Sequence, residues 1–306
     1  MGKIAFIFSG QGAQYSGMGM ELYDHSAAAR EVFNIADSIR EGTSQQCFYG
    51  TKEELKLTKN TQPCIFSVDL AAAKALEEAG ITPHMVAGFS LGELAALVFS
   101  GAMPLEDGFS LVCRRGELME EASKEWDTAM GAVLKLTNHE VEEISSKYSG
   151  IYPVNYNCPG QLVVAGLKEE ITLFKDAVKA MGGRFMPLAV SAGFHSPFMN
   201  KASEKFLLEL EAYSMSSPVV PVYSNVNALP YGEEIKSLLA EQIKSPVRWQ
   251  ETIENMIAQG ADTFIEVGPG TVLKGLISKI NPSVRVFNVE NIESLNHTLR
   301  SVKESA

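Results

Sequence analysis

The sequence predicts an α/β fold: a parallel-sheet large domain interrupted by a small ferredoxin-like (βαββαβ) subdomain. Three observations carry that prediction. Short apolar runs alternate with helical patterns over the first 126 residues, the rhythm of a sheet covered by helices on both faces. Between residues 127 and 196 the order changes to β-α-β-β-α-β. From residue 203 the helix–strand alternation resumes, so the middle unit reads as an insertion. Residues 1–126 and 197–306 then form one discontinuous domain, and 127–196 the small one. With 45% hydrophobic and 21% charged residues among 306, the chain has the composition of one that buries a core.

Each element has its own justification. Ile4-Ala5-Phe6-Ile7-Phe8 reads as a buried strand over 3–8, followed by the loop Ser9-Gly10-Gln11-Gly12-Ala13-Gln14. Helical periodicity covers 21–40. A second helix is expected from Pro63, through Ile65, Val68, Leu70, Ala73 and Leu76, to Gly80, with proline early and glycine late. A strand over 85–87 runs into Gly88-Phe89-Ser90-Leu91-Gly92, and helices follow over 93–99 and 105–122. In the insertion, strands at 129–136, 151–157, 162–165 and 184–190 enclose helices at 138–148, capped by Asn138, and at 167–181. A helix over 203–213, a strand over 220–225, a helix around Ile253, a strand over 263–267 and a helix after Gly270 complete the chain.

Charge and cysteine usage narrow the function. The net charge of −11 lacks the basic excess that releases counterions from a duplex, so nucleic acid is not an expected partner. Cys47, Cys64, Cys113 and Cys158 stand far apart with no C-x-x-C pair, which argues against structural zinc and a disulfide scaffold and fits a reducing cytosol. No apolar run reaches the roughly 20 residues of a membrane helix, and no signal-peptide core is visible. The expected protein is soluble and cytoplasmic, away from membranes.

The opening glycine loop fails both nucleotide fingerprints, because Tyr15 and Met18 stand where a glycine and a lysine are needed. What remains is a tight turn whose N–H groups face either solvent or an anionic centre. Gly88-Phe89-Ser90-Leu91-Gly92 is more informative. A strand before and a helix after it make the nucleophile elbow, with Ser90 exposed at a strained turn and the Leu91 N–H aimed at a developing oxyanion. A serine that merely caps the helix is the competing reading. Of five histidines, His195 alone lies in a loop where the insertion returns to the main domain, which makes it the best base by elimination, against an ordinary structural histidine. Of the pair Arg114-Arg115, one faces inward from an otherwise apolar helix and needs an anion, either a substrate or an internal salt bridge.

Taken together, Gly10–Gln14, Gly88–Glu93, Arg115-Gly116, Asn157–Gln161, Phe194-His195-Ser196, Ser245–Trp249 and Glu266–Gly270 resemble the malonyl-CoA:acyl carrier protein transacylase family along nearly the whole chain. The resemblance implies a hydrolase-like large domain and a serine acyltransferase that serves fatty acid synthesis. In that reading Ser90 is acylated, His195 is its base, and Gln11 and Leu91 supply the oxyanion-hole N–H groups. Arg115 would clamp the malonyl carboxylate and the carbonyl of Arg248 would orient the histidine. Gln62, Asn157 and Phe194 match pocket-lining positions; Phe194 is the residue associated with malonyl. Malonyl-CoA and phosphopantetheinylated acyl carrier protein would be substrates, with no metal and no cofactor. Two positions depart from the family pattern: Phe89 stands where histidine is common, and is expected to line and reshape the acyl pocket, and Ser9 stands where proline is. Lys201 and Lys205, one turn apart after His195, are candidates for meeting the acidic carrier, with Lys274 and Lys279 second. The rivals are a polyketide malonyl acyltransferase acting in trans, an acyl-thioester hydrolase and a non-catalytic scaffold.

Overall fold

The structure, a computed structural model, describes residues 2–190 and 192–303. Among these residues the strands are, in chain order, β1 (Lys3–Phe8), β2 (Met85–Gly88), β3 (Thr128–Leu134), β4 (Ile151–Cys158), β5 (Gln161–Leu167), β6 (Arg184–Pro187), β7 (Val222–Tyr223), β8 (Ala261–Val267) and β9 (Arg285–Val289). They form a 5-stranded sheet in the order β7-β2-β1-β8-β9, parallel at every pairing. A separate 4-stranded antiparallel sheet has the order β4-β5-β3-β6, which is the ferredoxin-like order. None of the described helices is long and apolar enough to cross a membrane.

Alternation along β1 shows why the large sheet is covered on both sides. Phe6 and Phe8 enter one core with Phe66, Val68, Leu94 and Phe109 from the helices Thr58–Glu78, Leu91–Phe99 and Leu105–Ala122. Ala5 and Ile7, on the opposite face, enter a second core with Trp249, Ile253 and Leu276 from Trp249–Ala258 and Val272–Ile280. Each buried phenylalanine contributes roughly 1.5–3 kcal/mol, so a one-residue slip of β1 would lose several such contributions at once. The small sheet packs Val133, Leu162 and Val164 under its own helices Asn138–Ser145 and Lys168–Ala180. Its other face joins the main core through Met130, Val154 and Val163. Val247 pairs alongside β4 as a parallel bridge, donating to Val154 and accepting from Tyr156.

This topology decides where a ligand fits. β1 lies between β2 and β8, the point at which the strand order diverges, and such crevices at the carboxyl ends of parallel strands are where ligands bind. Residues 9–14, the Ser90 turn and the Gly268-Pro269-Gly270 turn all leave strands at that edge.

Several elements differ from the sequence expectations, each for a local reason. The pattern over 21–40 is two helices, because Ser26 breaks it and caps Ala27–Ile39 by accepting from the Ala29 N–H. The helix expected at Pro63 begins at Thr58 and keeps the proline inside. Thr137, not Asn138, caps the first helix of the insertion, in a reciprocal capping box with Glu140. The strand over 220–225 shrinks to Val222–Tyr223, because the N–H groups of Ser224 and Asn225 turn to the Leu229 carbonyl and the Glu93 carboxylate rather than to a neighbouring strand. β9 is half-buried nearly throughout and shows no alternation to read.

Candidate active site

β2 ends in the turn that holds Ser90. Its φ of 55° and ψ of −107° are a conformation that side-chain-bearing residues rarely adopt, costing on the order of 1–3 kcal/mol. Close approach on both sides enforces it. A Cβ at Gly88 would lie 1.9 Å from the Gly92 carbonyl carbon, and one at Gly92 would lie 2.5 Å from the carbonyl oxygens of Phe8 and Ser9. Asn225 clamps the turn, accepting from the Ser90 N–H at 2.8 Å and donating to the Gly88 carbonyl at 2.7 Å. The Leu91 N–H opens the helix and so has no intrahelical carbonyl to bond. The Gly10–Gln11 loop lies against this turn, with a Cβ at Gly10 only 2.8 Å from the Phe89 carbonyl oxygen. The Gln11 side chain reaches Thr58 at 3.4 Å.

His195 comes to Ser90 from the other domain boundary, itself at a positive φ of 60°. Ser191, the first residue of its expected loop, lies outside the described residues. The imidazole Nε2 is 2.8 Å from Ser90 Oγ, and Nδ1 is 2.8 Å from the carbonyl of Gln242. A donating Nδ1–H leaves Nε2 as the lone-pair acceptor for the serine proton. Burial, and then the Arg115 charge, lower the ring from 6.5 to about 4, so it is neutral at physiological pH.

The orienting carbonyl therefore corrects the sequence expectation: it is Gln242, not Arg248. Gln242 closes the helix Ile235–Gln242, where the last carbonyls have no N–H ahead of them and this one is free to meet the ring. The Arg248 carbonyl is already used, accepting from the N–H and the hydroxyl of Thr252, both at 2.9 Å.

Arg115 is the inward member of its pair. It is 1% exposed, while the Arg114 side chain is 43% exposed and ion-paired with Glu117 and Glu209. The Arg115 guanidinium donates to Gln62 Oε1 at 2.8 Å, to Gln242 Oε1 at 2.7 Å and to Ser90 Oγ at 3.2 Å. Its Nε has no hydrogen-bond partner among the described residues. Burial lowers its pKa to about 10, with Glu93 opposing, so the cation survives at neutral pH.

Ser90, His195, Arg115 and Gln62 thus share one hydrogen-bonded cluster. Phe194 is buried in the main core beside His195. Asn157 is buried at the end of β4, and its Oδ1 has no hydrogen-bond partner among the described residues. Phe89 sits apart from the cluster: its ring packs on Trp249 at 5.3 Å, on the sheet face opposite the helix that carries Arg115. Lys201 and Lys205 are exposed and ion-paired with Glu125 at 2.7 Å and Glu121 at 3.0 Å. Among the described residues no group of three or more His, Cys, Asp or Glu is placed to hold a metal.

Sequence reasoning missed Gln242, Asn225 and Tyr231, which lie far along the chain and carry no local pattern. It also gave no role to Glu93, although a carboxylate inside the apolar run Leu91–Phe99 was a readable signal. Chemically, the cluster offers a hydroxyl against a neutral base, the helix-opening Leu91 N–H and a buried cation within reach of the same oxygen.

Comparison with known proteins identifies the family. The acyl transferase domain model matches residues 5–296. The malonyl CoA-acyl carrier protein transacylase of Bacillus subtilis is 41% identical over 312 residues, covering 99% of this chain and 98% of the relative. The crystal structure of the Clostridium perfringens protein of the same name superposes with a TM-score of 0.96 at 41% identity, covering 99% of this chain and 98% of that one. A malonyl-transacylase solved in complex with a type II polyketide synthase acyl-carrier protein matches at a TM-score of 0.94 and 34% identity, over 98% of this chain and 99% of that one.

Proposed function

The chain belongs to the malonyl CoA-acyl carrier protein transacylase family, and from that premise we propose that it carries malonyl from malonyl-CoA to an acyl carrier protein through an ester on Ser90. The observation that carries the reading is the double engagement of one oxygen: Ser90 Oγ meets both the His195 acceptor at 2.8 Å and the Arg115 donor at 3.2 Å. A hydroxyl needs the first to become a nucleophile. The second is what a carboxylated acyl group needs beside the reacting carbon.

In the first half-reaction the Ser90 proton passes to His195 Nε2 while Oγ attacks the thioester carbonyl. The negative charge on the tetrahedral oxygen rests on the N–H groups of Leu91 and Gln11. Collapse breaks the carbon–sulfur bond, and the departing CoA sulfur takes the proton back from His195. In the second half the phosphopantetheine thiol of the carrier gives its proton to His195 and attacks the ester, and Ser90 leaves reprotonated. Arg115 holds the malonyl carboxylate in a forked pair that lysine's point charge does not reproduce. Every step is acyl exchange between a thiol and a hydroxyl, so the reading assigns no resident cofactor. It places the reaction in the cytoplasm and takes the carrier from fatty acid synthesis. The likeness to a transacylase bound to a polyketide carrier supports a polyketide carrier as the second reading.

Intact-mass measurement after mixing with malonyl-CoA tests the proposal. Wild type should gain one malonyl adduct that disappears on adding the thiol-bearing carrier, and Ser90→Ala should gain none. A malonyl adduct retained by Ser90→Ala would sink the assignment. Adduct loss to water rather than to the carrier would favour the hydrolase.

A further inference from the structure

Beneath the nucleophile lies a carboxyl that the proposed chemistry leaves unused. Glu93 is wholly buried in the first turn of the helix that Ser90 opens. Its Oε1 accepts from the Tyr231 hydroxyl. Its Oε2 accepts from the Asn225 N–H at 3.0 Å and from Gln242 Nε2 at 2.8 Å. Three neutral donors therefore converge on it, and among the described residues no cation touches it.

The cation is one amide away. Arg115 donates to Gln242 Oε1 at 2.7 Å, and the same amide donates through Nε2 to Glu93. Its remaining N–H bonds the Ser90 carbonyl at 2.7 Å. That distribution fixes the amide's orientation, with oxygen toward the guanidinium and nitrogen toward the carboxylate. Cation, amide and anion lie in series, and hydrogen bonds to ionised groups are the strong ones.

We propose that Glu93 is the counter-ion of Arg115, acting through the Gln242 side chain, and that it sets how tightly the acyl pocket holds a carboxylate. The inference rests on the malonyl-transfer reading above. A buried guanidinium with no anion is costly, and Glu93 relieves that cost while the pocket is empty. An arriving malonyl carboxylate then shares the cation with Glu93 instead of meeting it uncompensated, so the acyl group is selected without being bound too firmly to move on. Glu93 is a positioning and charge-setting residue, since it touches no substrate atom.

The titratable groups facing Glu93 are Tyr231 and Arg115. Burial pushes the carboxyl up to about 7, against the pull of its three donors and of Arg115. The counter-charge is thus present above pH 7 and withdrawn below it, where the pocket becomes more positive. His195, lowered to about 4, titrates after Glu93 is already neutral, so the two effects separate on the pH axis.

The test measures equilibrium binding of malonyl-CoA and acetyl-CoA to the Ser90→Ala protein by calorimetry at pH 6 and pH 8, with and without Glu93→Gln. The malonyl-to-acetyl affinity ratio cancels effects on the CoA part. Glu93→Gln should raise that ratio roughly tenfold at pH 8, the lower end of what a nearby charge does, and change it little at pH 6. Tyr231→Phe, which removes one donor from the anion, serves if Glu93→Gln melts early: it should move the pH-dependent step in the ratio upward. A ratio indifferent to both substitutions at pH 8 overturns the counter-ion. No malonyl preference even in the Ser90→Ala parent fails the malonyl reading itself, and the counter-ion with it.

Discussion

Replacing Arg115 by alanine asks whether the buried cation selects the acyl group. A malonyl group differs from acetyl by one carboxylate, and Arg115 is the wholly buried cation bonded to Ser90 Oγ. Breaking a buried ion pair by removing one partner costs about 3–5 kcal/mol. At about 1.4 kcal/mol per factor of ten, kcat/KM for malonyl-CoA should fall by roughly 10²- to 10⁴-fold. Acetyl transfer should move the other way relative to wild type, because an acetyl group no longer leaves a desolvated guanidinium with only the indirect counter-charge of Glu93. The substitution also strips donors from Gln62 Oε1 and Gln242 Oε1, each loss worth about 1–3 kcal/mol if water does not replace it. The deciding quantity is therefore the malonyl-to-acetyl ratio, measured as transfer to the carrier protein, with a thermal melt to confirm folding. Arg114→Ala is the control. Its ion pairs with Glu117 and Glu209 are partly exposed, where such pairs are worth about 0–1 kcal/mol, and the ratio should not move. An unchanged ratio in Arg115→Ala, or the same shift in Arg114→Ala, would refute the clamp.

Three further outcomes follow from the same geometry. His195→Ala should slow acylation by roughly 10²- to 10⁴-fold, read by stopped-flow release of CoA, and near-normal rates would make this histidine structural. Because the base works neutral and its pKa is lowered to about 4, kcat/KM in a Glu93→Gln background, which lacks the carboxyl titrating near 7, should rise through pH 4 and be flat above about pH 5. An acid limb near 6.5 would contradict the buried ring. The sign for stability is separate: the unfolded histidine binds a proton that the folded one refuses, so this contribution is complete above 6.5 and lost as pH falls toward 4. Asn225→Ala removes both side-chain bonds to the elbow and should lower stability by about 2–4 kcal/mol in denaturant melts, with acylation lost in parallel. Full activity in that variant would mean the turn holds itself.

What could be read from the sequence was what lies close together along the chain. The elbow is five consecutive residues, and both its strand and its helix flank it, so Ser90 and Leu91 needed only local reasoning. A charge inside an apolar helix must be explained by something, which narrowed the inward cation to Arg114 or Arg115, and the family resemblance chose Arg115. The partners that make these residues reactive come from elsewhere: Asn225 is separated from Ser90 by 135 residues and Gln242 from His195 by 47. Polar side chains at such positions look like loop residues until the fold closes on them. The mistaken Arg248 shows the limit. Every residue offers a backbone carbonyl, so no residue type marks the one that meets an imidazole. Only the end of a helix, where a carbonyl is left without an N–H ahead of it, distinguishes Gln242 from its neighbours. The same Gln242 places its carbonyl on the base and its amide between Arg115 and Glu93. One helix terminus thereby ties the histidine's tautomer to the charge of the acyl pocket, a coupling built from long-range contacts alone.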